Sequence, residues 1–395
     1  MQKQIVALSL FLFASLFVLV SVSNTQAQRD DAGNGWRKTP AQVLPTDYKF
    51  SGPYTHKNLT VYLIHGANKS TGKAPLTLQE AMAQKKVRVI ETGDVNQLAI
   101  QNLSHQEVFI QSGDIVKGGQ QDRVLAMDLL VPPRSGRISI DSFCVEQGRW
   151  QQRGKEMVSA FSSSDQMLNH KDLKIAAKSK NSQGEVWAKV SESQAKLSKN
   201  VVVASGRIGN RGGGAMQIGG GAGNGGAGGA VALGQPPAMS EAATVEVTSS
   251  ASRTSLQLTL ENKVVKETAD DYIKALSSAI TGKTDVIGYA FAINGQINSA
   301  DVYSSHALFV KLWPKLLKSS AVEAIAEFDK AGKTEAVTEN SVKTFLAEAE
   351  AGKAEEKQVT TRVAMEKRES DKHLFFETRD RKNGEQWLHR NYLKK

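Results

Sequence analysis

Apolar and polar positions change their period along this chain, and the changes mark out its elements. Strict alternation at 137–140 (Arg-Ile-Ser-Ile) gives one wet and one packed face, the signature of an antiparallel sheet. Short β-branched runs at 59–64, 87–90, 98–101, 108–110 and 124–131 read as further strands, punctuated by Asn, Gly, Asp and Pro. A helical period takes over later. Val186, Val190 and Leu197 share one face, and Val265, Thr268, Ala269, Tyr272, Ile273, Leu276 and Ile280 form a stripe. The run 285–302 breaks at Asn294-Gly295, a hairpin signal. Ser304 or Ser305 then caps a helix carrying Leu308, Phe309, Leu312, Leu316 and Leu317, with a kink expected at Pro314. A helix near 341–351 leads into strands at 359–365, 373–379 and 386–393.

Local chemistry sharpens these boundaries. Thr77 and Glu80 have capping-box spacing, as do Ser182 and Glu185, so helices are expected to begin at both places. The expected fold is α+β: an antiparallel sheet or sandwich partly covered by helices, ending in a β-meander. Residues 28–57 are polar, contain Pro40, Pro45 and Pro53, and read as an extended arm. Residues 204–240 are a glycine-rich, low-complexity insert that reads as a flexible spacer, because such sequence gains too little from burial to offset its ordering entropy. The remainder, 58–395, reads as one domain.

The N-terminus is an address. Lys3, an apolar run at 5–22 and small residues up to Ala27 have the layout of a secretory signal peptide over 1–27. The expected location is therefore periplasmic or extracellular, with membrane attachment only if the segment stays uncleaved. The formal net charge of +10 falls to +9 without Lys3. Acids and bases alternate through Glu366-Lys-Arg-Glu369 and Arg379-Asp-Arg381, and the Lys-rich stretch 149–211 lacks interleaved aromatics, so no nucleic-acid partner is expected. Cys144 is the single cysteine, which excludes an internal disulfide and makes burial its expected fate.

The stretch "IVKGGQQDR" at 115–123 crowds polar groups around a double glycine, and "CVEQGRW" follows at 144–150. With "GEVWAKV" at 184–190, the run 286–319 and "WLHRNYL" at 387–393, these segments resemble the ARPP domain, the ADP-ribosylglycohydrolase and rhodanese-phosphatase-associated protein domain, over roughly 58–395. The resemblance implies ADP-ribose or nucleotide-derived ligands.

One strand pair separates the two polar segments, so a meander brings them to a shared end of a sheet. Together they supply Asp114, Lys117, Gly118, Gly119, Gln120, Asp122, Arg123, Glu146, Gln147, Arg149 and Trp150. Glycine amides, guanidinium forks and an indole suit an anionic small molecule or a nucleotide-like group, and the same loops suit a protein partner. The competing structural reading pairs Arg123 and Arg149 with Asp114, Asp122 or Glu146 and ties the loops down. A hydrolase on phosphorylated or ADP-ribosyl-type substrates is the alternative function, with Asp114 or Glu146 as acid or base. The histidines show no metal-ligand spacing and no pairing with Cys144, so no metal site is expected and no cofactor is identified. Trp187 and Trp313 read as core.

The export reading predicts a mature N-terminus at Gln28 or within a few residues of it. Intact-mass measurement on the processed protein checks this, and Met1 retained on membrane-bound material would replace cleavage by anchoring.

Overall fold

The hairpin expected at Asn294-Gly295 forms, and it lies near the middle of the larger sheet. Asn294 (φ 50°) and Gly295 (φ 73°) both adopt left-handed backbone values, as a two-residue turn matching strand twist requires. The computed structural model describes residues 35–39, 47–70, 72–206, 244–329 and 336–395. The segment 1–27 and nearly all of the glycine-rich insert lie outside the described residues. Trp36–Lys395 makes up one compact unit.

In chain order the strands are β1 (Arg37–Lys38), β2 (Lys49–His56), β3 (Leu59–His65), β4 (Leu76–Thr77), β5 (Val87–Glu91) and β6 (Gln97–Asn102). Next come β7 (Val108–Ile110), β8 (Asp114–Gly118), β9 (Arg123–Leu125), β10 (Leu129–Val131), β11 (Ile138–Cys144) and β12 (Phe161–Met167). The last are β13 (Val286–Ile293), β14 (Gln296–Tyr303), β15 (Lys353–Gln358), β16 (Val363–Glu369), β17 (His373–Asp380) and β18 (Gln386–Lys394). The helices are α1 (Leu78–Ala83), α2 (Lys171–Ile175), α3 (Gln183–Ala204), α4 (Leu256–Leu260), α5 (Lys263–Leu276), α6 (His306–Ala326) and α7 (Glu339–Glu350). A π-helix, Ala176–Lys180, follows α2 directly.

Among the described residues the strands form three sheets, and the fold is α+β as expected. The largest is antiparallel, in the order β1-β15-β16-β17-β18-β14-β13-β3-β2, and contains the C-terminal meander. On one face, Tyr289, Phe291 and Tyr303 pack with Phe309, Leu312 and Trp313 of α6 and with apolar residues of α3 and α5. On the other, Val342, Phe345, Leu346 and Ala349 of α7 cover Tyr62, Ile64, Ala300 and Tyr392. A six-stranded sheet, β12-β8-β9-β11-β6-β5, curls back on itself, because Ile90 and Ala160 bridge its two outer strands. Its apolar centre includes Val87, Val89, Leu98, Ile100, Val116, Leu125 and Ile140. A small sheet, β10-β7-β4, completes the set.

The capping box at Thr77 and Glu80 forms in full. Ser182 accepts from the Glu185 amide at the start of α3, and Ser305 caps α6, which continues through Pro314. Trp313 is buried, as expected of a core residue, whereas Trp187 is only partly covered. The structure corrects three sequence readings. Part of the stretch read as an arm is strand: β2 pairs with β3 at the sheet edge, and Pro53 fits there because the register shifts between Ser51 and Tyr54. The polar stretches 113–123 and 144–150, read as loops, are partly strand: Asp114–Gly118 form β8, Arg123 opens β9 and Cys144 closes β11. The run 124–131, read as one strand, is two, because β9 pairs with β11 while β10 pairs with β7.

The break between β9 and β10 has a chemical cause at Asp128. This residue is fully buried, and its Oδ1 accepts from the Ser112 amide at 2.7 Å. Its Oδ2 accepts from the Thr378 hydroxyl at 2.6 Å and faces His389 Nδ1 at 2.8 Å. The other ring nitrogen, Nε2, faces Asp301 Oδ1 at 3.0 Å. Two acceptor-only groups on one ring demand an imidazolium that donates from both nitrogens. Burial opposes that charge, but Asp128 and Asp301 outweigh it and raise the His389 pKa above the usual value. Burial likewise opposes the Asp128 carboxylate, and the nearby Lys178 and His389 charges hold its pKa well below the usual range.

This arrangement sets a pH dependence. With its folded-state pKa raised, His389 contributes stability that is complete below about pH 6.5 and is lost as pH rises through the folded value. His389→Gln should therefore cost roughly 3–5 kcal/mol at mildly acidic pH, and the gap to the wild type should narrow as pH rises above about 6.5 and through the folded value. Thermal melts of both proteins across that range check this, and a gap independent of pH would refute the charged-histidine assignment.

Candidate functional site

The turn between β8 and β9 explains its own double glycine. Gly119 has φ 56°, and a Cβ there would lie 2.4 Å from Phe161 Cζ, so no side chain fits. Its amide donates to the Met157 carbonyl at 3.1 Å, and the Gly118 amide donates to Asp122 Oδ1 at 3.0 Å. Both donors expected to face a ligand are thus used within the protein. The meander does bring the two polar segments together, since Cys144 pairs with Arg123 and Ser142 with Leu125 across β11 and β9.

Asp122 and Arg123 are adjacent in sequence and have different surroundings. Asp122 is fully buried and receives a two-pronged contact from Arg153, with Nη1 to Oδ2 and Nη2 to Oδ1 both at 2.8 Å. Arg153 also reaches Glu146 at 3.1 Å and Glu156 at 3.0 Å. Arg149 completes the cluster, with Nη2 2.7 Å from Glu146 Oε2 and further donations to the Gly118 and Gly119 carbonyls. Burial raises the Asp122 pKa against the pull of Arg153. For Glu146 the burial penalty is outweighed by hydrogen bonds from Arg149 and Ser252 and from the Asp122 amide, so its pKa is lowered. This is the tying-down reading of Arg149, with Arg153 as a member that sequence reasoning missed.

The other expected residues are dispersed. Asp114 is buried against Lys315, 2.6 Å away on α6, and accepts from the Gln111 amide. Lys117 binds both oxygens of Glu261 at 2.8 and 2.7 Å. Gln120 is partly buried near Glu91, and Gln147 is exposed beside a shallow cavity of about 490 Å³ that Arg149, Arg153 and Arg253 also line. Asp114 and Glu146, the candidate acid and base, are both engaged in buried ion pairs.

Arg123 is 0% exposed at one end of the curled sheet. Its Nη1 donates to the Val95 carbonyl at 2.8 Å and touches Cys144 Sγ, and its Nη2 lies 3.5 Å from Glu91. The ring of Trp150, 49% exposed, lies 5.7 Å from the guanidinium carbon. Nε and Nη2 of Arg123, both amide atoms of fully buried Gln121, and Ser142 Oγ have no hydrogen-bond partner among the described residues. Gln121, Ser142 and Glu91 were not singled out from sequence, and Gln121 sat inside the quoted motif without a feature to mark it. Cys144 is buried, as expected, and burial pushes its thiol up to about 11, which makes it a poor nucleophile.

Among the described residues no group of three or more His, Cys, Asp or Glu side chains is placed to hold a metal ion. No described helix is long and apolar enough to cross a membrane. The family model of the ARG and Rhodanese-Phosphatase-superfamily-associated Protein domain matches residues 47–393, from just ahead of β2 into β18. No curated protein and no solved structure matches the chain.

The ion cluster yields a stability prediction. Arg153→Gln leaves Asp122 and Glu146 buried with too little positive charge, and should cost about 3–5 kcal/mol. A denaturant midpoint unchanged from wild type would show that this cluster does not hold the loops.

Proposed function

The chain belongs to the ARG and Rhodanese-Phosphatase-superfamily-associated Protein domain family, and from that premise we propose that it is an exported binding module for an anionic, nucleotide-like small molecule. Its site is the Arg123 end of the six-stranded sheet, beneath Trp150. The observation that carries this reading is the set of unpartnered atoms on two fully buried side chains, Gln121 and Arg123. A buried polar atom without a partner costs about 1–3 kcal/mol, which a ligand able to pair with it recovers.

The donor set selects the ligand's chemistry. A guanidinium whose Nε has no partner among the described residues, and whose Nη2 meets only the Glu91 carboxylate at 3.5 Å, matches phosphate or carboxylate oxygens, the Gln121 amide offers both a donor and an acceptor, and the half-exposed indole provides a stacking face. Lys3, the apolar run at 5–22 and Ala27 support export.

Titrating the protein with ADP-ribose, nucleoside diphosphates and sugar phosphates, read by melting temperature and tryptophan fluorescence, tests the proposal. Trp150→Ala removes an exposed ring and should leave the fold intact while weakening binding by roughly 10- to 100-fold, as lost base stacking does. No response to any member of the panel, or equal binding by the Trp150 variant, would sink it.

A further inference from the structure

The six-stranded sheet closes imperfectly, and the imperfection leaves a cavity. Its outer strands β5 and β12 meet at the Ile90–Ala160 bridge, with the Glu91 amide 3.4 Å from the Ser159 carbonyl. At this seam is a cavity of about 790 Å³ with Met82, Val87, Val89, Ile90, Ala160 and Phe161 in its wall. Lys85, Arg88 and Arg137 also line it, and among the described residues no acidic side chain does. None of these three cations has an ion-pair partner among the described residues. Met157, also on the wall, is 64% exposed, an apolar surface that water covers poorly.

We propose that this seam binds a long-chain carboxylate, a fatty acid, with its hydrocarbon in the apolar cavity and its head group on Arg88 and Arg137. The volume lies within the roughly 300–1,000 Å³ of small-molecule sites. The division of the lining into an apolar wall and unpaired cations matches an amphiphile with one anionic end. Guanidinium groups bind carboxylates through paired hydrogen bonds, which favours that head group over an uncharged one. An added peptide strand fits less well, because the bridge at Ile90 occupies the edge of β5 and leaves only 87–89 free, short of the usual strand of about five residues. Neither Gln121, Arg123 nor Trp150 lines this cavity, and the inference does not depend on the function proposed above.

Calorimetric titration of the full chain with decanoate and myristate, with tetradecanol and acetate as controls, tests the inference. Affinity should rise from decanoate to myristate and be weak for both controls. The double variant Arg88→Glu, Arg137→Glu should lose roughly tenfold or more in myristate affinity, the effect of reversing charges at a binding rim. It should keep the wild-type melting temperature, since both side chains are exposed and unpaired. Trp150→Ala should bind myristate as the wild type does, which separates this site from the Arg123 site. Failure of both fatty acids to bind, equal binding of tetradecanol, unchanged affinity in the charge-reversed variant, or binding of an acidic extended peptide with no fatty acid bound would each overturn the proposal.

Discussion

A buried imidazolium held between two carboxylates is the interaction on which the rest of this structure depends. His389 and Asp301 belong to neighbouring strands of the nine-stranded sheet, whereas Asp128 lies between β9 and β10 on the side of the two smaller sheets. The ring therefore joins the two halves of the fold through charge as well as packing. Its neighbours satisfy most of the remaining valences: Ser112 and Thr378 on Asp128, and Asn391 on Asp301. Lys178 enters from the π-helix, almost fully buried, with its ammonium 4.5 Å from the Phe376 ring centre. Removing one member of such a group strands the others in a medium that solvates charge poorly.

Consecutive residues of the polar segment at 115–123 meet different surroundings. Asp122, with Glu146, Arg149 and Arg153, fastens the turn to the loop after β11, and Ser255 at the start of α4 adds a hydrogen bond at 2.8 Å. Arg123 instead faces the Val95 carbonyl, Cys144 and Glu91, and its Nε has no hydrogen-bond partner among the described residues. The tight ion cluster holds the backbone from which Arg123 and Gln121 project, so the structural role and the proposed binding role meet in one motif without sharing side chains.

How much of this was legible in sequence differs by residue. Asn294-Gly295, Thr77 with Glu80, Ser182 and Ser305 act on backbone groups within four residues of themselves, and each produced the turn or helix start expected of it. The burial of Cys144 and the meeting of the two polar segments were also legible, since the first follows from residue type and the second from strand alternation. Arg149 was readable only as one of two alternatives, because sequence does not say which carboxylate a guanidinium will meet. Gln121 was unreadable, since an amide in a polar turn looks the same whether solvated or buried.

The sequence by itself determined the α+β class, the hairpins and caps, and the residues available to a site near 115–150. Tertiary structure decided the break at Asp128, whose partners Thr378 and His389 are 250 and 261 residues away. It also recruited Lys49–His56 as an edge strand and turned Arg123 inward while Asp122 joined the ion cluster. The division follows from range: periodicity and capping report a residue's near neighbours, whereas the partner of a buried charge is fixed by what the folded chain brings within about 4 Å of it.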